Sequence, residues 1–292
     1  MASDPCQFGL LHDPQKICDH RDLFMQNLII ALAAIALYLT ASIRFAKSSA
    51  GKLTAGIDYK YAAIALLVAA AATHGIVLYF TIIARDGFDL GIFNTASLAG
   101  WCIGTSLLLT MFWRPIDSLA VVIYPSIAAV VALAFLFPSS RILPPGTAIG
   151  IQLHIVLSLI AYGLFAIAAV QAVYLGVADY KLRHHRPSME FLPPLPTMET
   201  VLFQLTGIAF VLLTGSLILG SMYIADIREQ HLTHKIAFSL MAWAVFATLI
   251  GGRLLFGWRG LRAIKFVISG FVLLAIGFFG TKIVLELVLH RV

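Results

Sequence analysis

This sequence is short of charge, of cysteine, and of the glycine-rich and nucleophile motifs that mark soluble enzymes. Asp, Glu, Lys and Arg make up 12 % of its 292 residues and hydrophobic types 60 %, whereas soluble domains carry about 25 % charged residues. With a mean hydropathy of +0.94, the chain reads as an integral membrane protein rather than a globular enzyme on a single anchor. The three cysteines, Cys6, Cys18 and Cys102, form no CxxC pair and no zinc-finger spacing. Cys6 and Cys18 share the N-terminal segment and can pair as a disulfide in an oxidising compartment. Cys102 lies in an apolar run, as a small core residue would. No GxGxxG follows a strand, and P-loop, GxSxG and HExxH signatures are absent, which removes several common enzyme classes. No two carboxylates share an apolar run, which speaks against an ion-driven transporter with buried acids. The formal net charge is +6, but the basic residues sit in short loops between apolar runs, where they set membrane orientation rather than bind nucleic acid.

What is present is apolar length. Eight segments, with limits near 23–44, 60–84, 90–112, 118–137, 150–177, 200–224, 234–256 and 263–289, are each long enough to cross a bilayer as a helix. The expected fold is therefore all-α: a polytopic integral membrane protein of about eight transmembrane helices. Residues 1–22 are polar, carry Asp4, Asp13, Asp19 and Asp22, and lack the basic opening of a secretory signal. They are expected as a tail ahead of a single transmembrane domain over 23–292. The longest loop, 178–199, is too short for a soluble domain, and its LPPLP at 192–196 makes a stiff turn before the sixth run.

Lysine and arginine choose the orientation. Alternate loops on one side hold Arg44, Lys47, Lys52, Lys60, Arg114, Lys181, Arg183, Arg186, Arg253, Arg259, Arg262 and Lys265. Those on the other hold Lys16, Arg21, Arg85, Arg141, Arg228, Lys235 and Arg291. The richer side is cytoplasmic by the positive-inside rule, so both termini are expected outside.

That orientation gives the histidines meaning. His154 opens the fifth run, His231 and His234 flank the mouth of the seventh, and His290 ends the eighth, all on the outer face. Two neutral imidazoles from different helices can hold a haem iron axially in an apolar cleft. Zinc would need three or four ligands, of which His231 and His234 at i, i+3 supply two. An interfacial anchor is the plain alternative for each. His74 lies mid-membrane, where an ionisable group needs a partner or a wet cavity; a hydrogen bond to a neighbouring helix serves it as well as a metal. His184 and His185 sit in a basic cytoplasmic loop. Lys282 and Glu286 are spaced to pair on the last helix. Gly215, Gly220, Gly270, Gly277 and Gly280 suit close helix packing.

Four stretches carry a resemblance: HIVLSLIAYGLFAIAAVQAVYL at 154–175, LPPLPTMETVLFQLTGIAFVLLTGSLILGSMY at 192–223, HKIAFSLMAW at 234–243, and GGRLLFGWRG at 251–260 with the run that follows it to residue 287. In this order, HxxLSxxAY, LPPL, HKxxFSxxAW and GWRG resemble the cytochrome c assembly protein family. Within it they resemble the YpjD-type inner-membrane branch, relatives of the haem-handling CcsA and CcmC proteins. The likeness is dense over 150–290 and rests on the pattern of spans before that.

The resemblance implies a multi-pass protein of the bacterial inner membrane that binds or handles haem, b-type and non-covalently held, in c-type cytochrome assembly. Haem-delivery proteins and apocytochrome c are the implied partners beside the lipid bilayer. No catalytic turnover is implied. His154 matches the outer haem-ligand position of those relatives, with His234, His290 and His74 following in that order. Two departures stand out. The relatives' tryptophan-rich WWD segment is replaced by SMYIADIREQHLTHK at 221–235, and Gly251 stands about where they place a histidine before GWRG. His234 is then the expected partner of His154. A haem-free accessory protein of the same fold and a small-solute permease are the alternatives.

Overall fold

A computed structural model describes residues 14–49, 57–84, 87–89, 91–114, 116–137, 142–143, 149–184, 194–223 and 233–280. Eight helices follow in chain order: α1 (Pro14–Ser49), α2 (Ile57–Ile82), α3 (Ile92–Met111), α4 (Ala120–Leu136), α5 (Ile149–Arg183), α6 (Leu195–Tyr223), α7 (Thr233–Phe256) and α8 (Leu261–Ala275). A 3₁₀ turn, Asp117–Leu119, leads into α4, and a π-turn, Ile276–Gly280, continues α8. All eight are long and apolar enough to span a membrane. The fold is all-α apart from a small antiparallel ladder of β1 (Ile83–Ala84), β2 (Gly87–Asp89) and β3 (Ile142–Leu143).

The two largest overruns of the sequence limits are in α1 and α5. α1 begins at Pro14, inside the stretch expected as a tail. α5 has 35 residues, a length of about 52 Å at 1.5 Å per residue, so it projects well past a hydrocarbon core of about 30 Å. Cys6, His185, His231, His290, Lys282 and Glu286 lie outside the described residues.

Two groups of helices meet along α5. In the first, α1 packs on α2 and α4, and α3 packs on α2 and α4; in the second, α6 packs on α5 and α7, and α8 on α7 and α5. The contact of α3 with α5 joins them. Gly163 of α5 makes this seam close, since a Cβ there would lie 3.4 Å from backbone atoms of Cys102 and Ile103. Small residues let membrane helices approach where lipid provides no hydrophobic drive. On the far side of α5, Phe165 stacks on Phe246 of α7 with centroids 3.9 Å apart. Gly270 of α8 leaves the room for that ring, for a Cβ there would sit 2.6 Å from Phe246 Cζ. Gly277 faces Phe238 in the same way, whereas Gly215, expected at a helix contact, meets open space.

Contacts across the ends confirm that alternate loops share a side. The β ladder ties the α2–α3 loop to the α4–α5 loop at one end. At the other, Lys60 Nζ lies 2.8 Å from Asp117 Oδ2, and Arg253 lies 3.2 Å from Glu199 Oε1. The GWRG motif turns α7 into α8 at this second end. Gly257 and Gly260 have φ of +64° and +58°, a left-handed region that favours glycine. Trp258 lies over Gly252, and its carbonyl accepts a hydrogen bond from Arg253 at 3.1 Å. The exposed Leu254, Leu255 and Phe256 are the expected lipid-facing skin of such a bundle.

Replacing Gly270 by Ala should destabilise the protein by about 1–3 kcal/mol through overpacking, and Phe246→Leu in the same chain should recover part of the loss. Thermal unfolding in detergent reads both. Unchanged melting of Gly270→Ala would contradict the packing described.

Candidate functional site

The site grows from one helical face. His154, Ser158 and Tyr162 stand at i, i+4 and i+8 of α5, so they project on the same side. All three line a cavity of about 290 Å³ enclosed by α3, α5, α6, α7 and the α8 π-turn. Lys235 and Ser239, again at i and i+4, line it from α7, and Thr95 and Leu98 from α3. Most of the remaining wall is apolar, including Leu213, Leu217, Leu274 and Phe278. The HxxLSxxAY and HKxxFSxxAW motifs thus meet across one space.

His154 is held by α6. Its Nδ1 lies 2.7 Å from the Ser216 carbonyl oxygen and 3.1 Å from Ser216 Oγ. Ser158 Oγ donates to the His154 carbonyl at 2.7 Å and lies 2.6 Å from Ser216 Oγ. A carbonyl oxygen only accepts, so Nδ1 carries the proton, and in the neutral ring Nε2 keeps a bare lone pair. Among the described residues Nε2 makes no hydrogen bond. Gly220, one turn beyond Ser216, makes room for the ring, since a Cβ there would lie 3.0 Å from His154 Cε1. Gly220 therefore lets α6 close on α5 at the site, in keeping with the packing role expected of it. In the sequence Ser158 appears only as the serine of HxxLSxxAY, and Ser216 carried no signal of its own.

The other histidines fall elsewhere. His234 is in the first turn of α7, next to the cavity-lining Lys235, but only its backbone is among the described residues; His290 lies beyond them. His74 is fully buried in the first helix group. Its Nδ1 lies 3.3 Å from Tyr38 Oη and its Nε2 2.9 Å from Ser97 Oγ, so both ring nitrogens are engaged. Tyr38 in turn stacks on Tyr124, whose hydroxyl donates to the Gly104 carbonyl at 3.1 Å. His184, exposed at the end of α5, lies 2.8 Å from the Tyr180 carbonyl through Nδ1. Among the described residues no three His, Cys, Asp or Glu side chains gather to the ligand count zinc requires.

The cytochrome C assembly protein model matches residues 25–289. The chain belongs to the cytochrome c assembly protein family. Membership supports a role in cytochrome c biogenesis and fits the eight spans. The inner membrane protein YpjD of Escherichia coli K12 is 30 % identical over 89 % of this chain and 99 % of its own length. That likeness, with the spans, makes this a multi-pass protein of the bacterial inner membrane. A 28.8 kDa protein of Azospirillum brasilense, from the nifR3-like 5′ region, is 26 % identical over 90 % of this chain and 99 % of its own. The cytochrome c biogenesis protein CcsA of Trichormus variabilis is 28 % identical over 30 % of this chain and 25 % of its own. No solved structure matches.

A family member of this kind raises the question of whether the site suits haem. The donor set fits. His154 presents one bare imidazole nitrogen, its opposite nitrogen is anchored to a carbonyl as metal-bound histidines usually are, and the walls are largely apolar. At about 290 Å³ the cavity lies just below the range of about 300–1,000 Å³ for ligand pockets, so it takes an edge of a macrocycle rather than the whole.

Gly220→Val should push the ring off Ser216. In ¹⁵N-histidine spectra of the native protein, His154 should appear as the Nδ1–H tautomer, and the valine variant should lose that signature. The same tautomer in both would contradict the role given to Gly220.

Proposed function

We propose that this protein binds haem at the outer end of its helix bundle and handles it during c-type cytochrome assembly, with His154 as the residue that would hold its iron. The observation that carries the reading is the cavity-lining imidazole whose Nδ1–H is tied to the Ser216 carbonyl, which leaves Nε2 free to donate. Bound haem would supply an iron centre that takes the Nε2 lone pair. The protein's own residues do the rest. Ser216, Ser158 and Gly220 orient the ring, and Leu213, Leu217 and Phe278 exclude water. His234 is the proposed partner ligand, from its position in the opening turn of α7, with His290 next. His74 is a packing histidine of the first helix group in this reading, because its two nitrogens are already used.

The function is binding and delivery without turnover. The ligand is b-type haem held without a covalent bond, and haem-delivery proteins and apocytochrome c are the partners. The positive-inside count puts both termini and the His154 cavity on the periplasmic side. The absence of tryptophan from 221–235 favours one competing reading, a haem-free accessory protein that keeps the fold.

The test is an absorption spectrum of the detergent-purified protein, alone and after addition of hemin, oxidised and reduced. A Soret band with sharp reduced α and β bands, lost or shifted in His154→Ala but retained in His74→Leu, is expected. A native protein that stays colourless and takes up no hemin overturns haem binding in favour of the accessory role. Orientation is checked separately. Periplasm-active reporters fused after residues 143 and 292 should be active, and one fused after residue 186 silent.

A further inference from the structure

A groove of about 540 Å³ runs between α1 and α2 on the outside of the bundle, and it shares no residue with the His154 cavity. Ala36, Thr40 and Arg44 stand at i, i+4 and i+8 of α1, so they lie along one side of that helix. Leu66 of α2 forms the facing wall. Thr40 and Ile43 are exposed, and the Thr40 hydroxyl is turned onto the Leu37 carbonyl of its own helix at 3.0 Å, so the wall is apolar up to Arg44. From Ala36 to Arg44 the groove extends about 12 Å at 1.5 Å per residue. One leaflet of a hydrocarbon core about 30 Å thick is about 15 Å deep. The groove therefore follows most of one leaflet, and Arg44 stands at its mouth near the more basic end of the bundle, where α1 finishes at Ser49 with Lys47 in its last turn.

The guanidinium at the mouth is held in place. Its carbon lies 4.9 Å from the centroid of the Tyr59 ring, a cation–π distance, and Tyr59 Oη donates to the Arg44 carbonyl at 3.2 Å. Yet Arg44 and Lys47, one turn apart, make no ion pair among the described residues. The described carboxylates of this end are already engaged: Asp117 by Lys60, Asp179 by Arg183 and Glu199 by Arg253. Two unpaired cations above an apolar groove suit an anion that carries its own hydrocarbon chain, and basic pockets between membrane helices take up lipid headgroups for this reason. A planar guanidinium matches two oxygens of a phosphate. A zwitterionic headgroup would bring its ammonium against like charge, with no described carboxylate left to receive it.

We infer that this groove binds one anionic phospholipid from the leaflet at the basic end, with its phosphate on Arg44 and Lys47 and an acyl chain along Ala36, Thr40 and Leu66. The bound lipid bridges α1 and α2 on the outside of the bundle, at the end where Lys60 ties α2 to the turn before α4. The inference is independent of haem.

Native mass spectrometry of the full chain, released from nanodiscs of equal phosphatidylglycerol and phosphatidylcholine, tests it. The native protein should retain one phosphatidylglycerol several-fold in preference to phosphatidylcholine. Arg44→Gln should lose that preference, while Lys265→Gln, which removes an exposed cation of α8 away from the groove, should keep it. Because Arg44 also packs on Tyr59, Thr40→Trp serves as a second variant: it fills the groove from an exposed position and should retain neither lipid. Equal retention of the two lipids by the native chain, or native retention in Thr40→Trp, overturns the site. Native retention in a folded Arg44→Gln protein does the same. Soluble glycerol 3-phosphate should displace nothing; displacement of the lipid by it would overturn the lipid in favour of a free phosphate.

Discussion

The site depends on one hydrogen bond, from Nδ1–H of His154 on α5 to the carbonyl of Ser216 on α6, 2.7 Å long. It decides which nitrogen of the imidazole carries the proton, and so which can donate to a metal. In a low-dielectric interior such a bond is stronger than in water, and leaving it unmade costs more. The same bond fastens α6 to α5 at the mouth of the cavity, so ligand orientation and helix packing are one constraint. Gly220 is its steric condition, and the Ser158–Ser216 contact braces it from the side.

The rest of the bundle keeps that pair in place. Gly163 draws α3 against α5, which brings Thr95 and Leu98 to the cavity wall. The Phe165–Phe246 stack and the gap left by Gly270 seat α7 and α8 against the opposite flank. The Arg253–Glu199 pair and the glycine-borne GWRG turn close these helices at the far end. The Tyr38–His74–Ser97 chain does similar work in the first helix group, where every polar atom on it finds a partner.

Much of this was legible in the sequence because bilayer physics leaves few options. An apolar run of about 20 residues has to be helical, so the number and order of spans followed directly, as did the family from the ordered motifs. His154 was also visible, as a histidine at a span end. The details that give His154 its chemistry were not. Ser216 acts through a backbone carbonyl, which any residue possesses, and Gly220 acts by lacking a side chain, so neither leaves a chemical signature in one sequence. His74 was open between ligand and packing residue, because its partners Tyr38 and Ser97 lie 36 and 23 positions away and only folding brings them together. The extensions of α1 and α5 past their apolar limits were hidden for a related reason, since hydropathy reports the bilayer and not the helix.

The central claim is that Nε2 of His154 donates to iron. Hyperfine spectroscopy of the ferric hemin complex, on protein labelled with ¹⁵N-histidine, addresses it directly. A strongly coupled imidazole nitrogen is expected in the native protein, and its loss in His154→Gln while His74→Leu keeps it. An unchanged coupling pattern in His154→Gln would contradict the account and move the iron to another histidine.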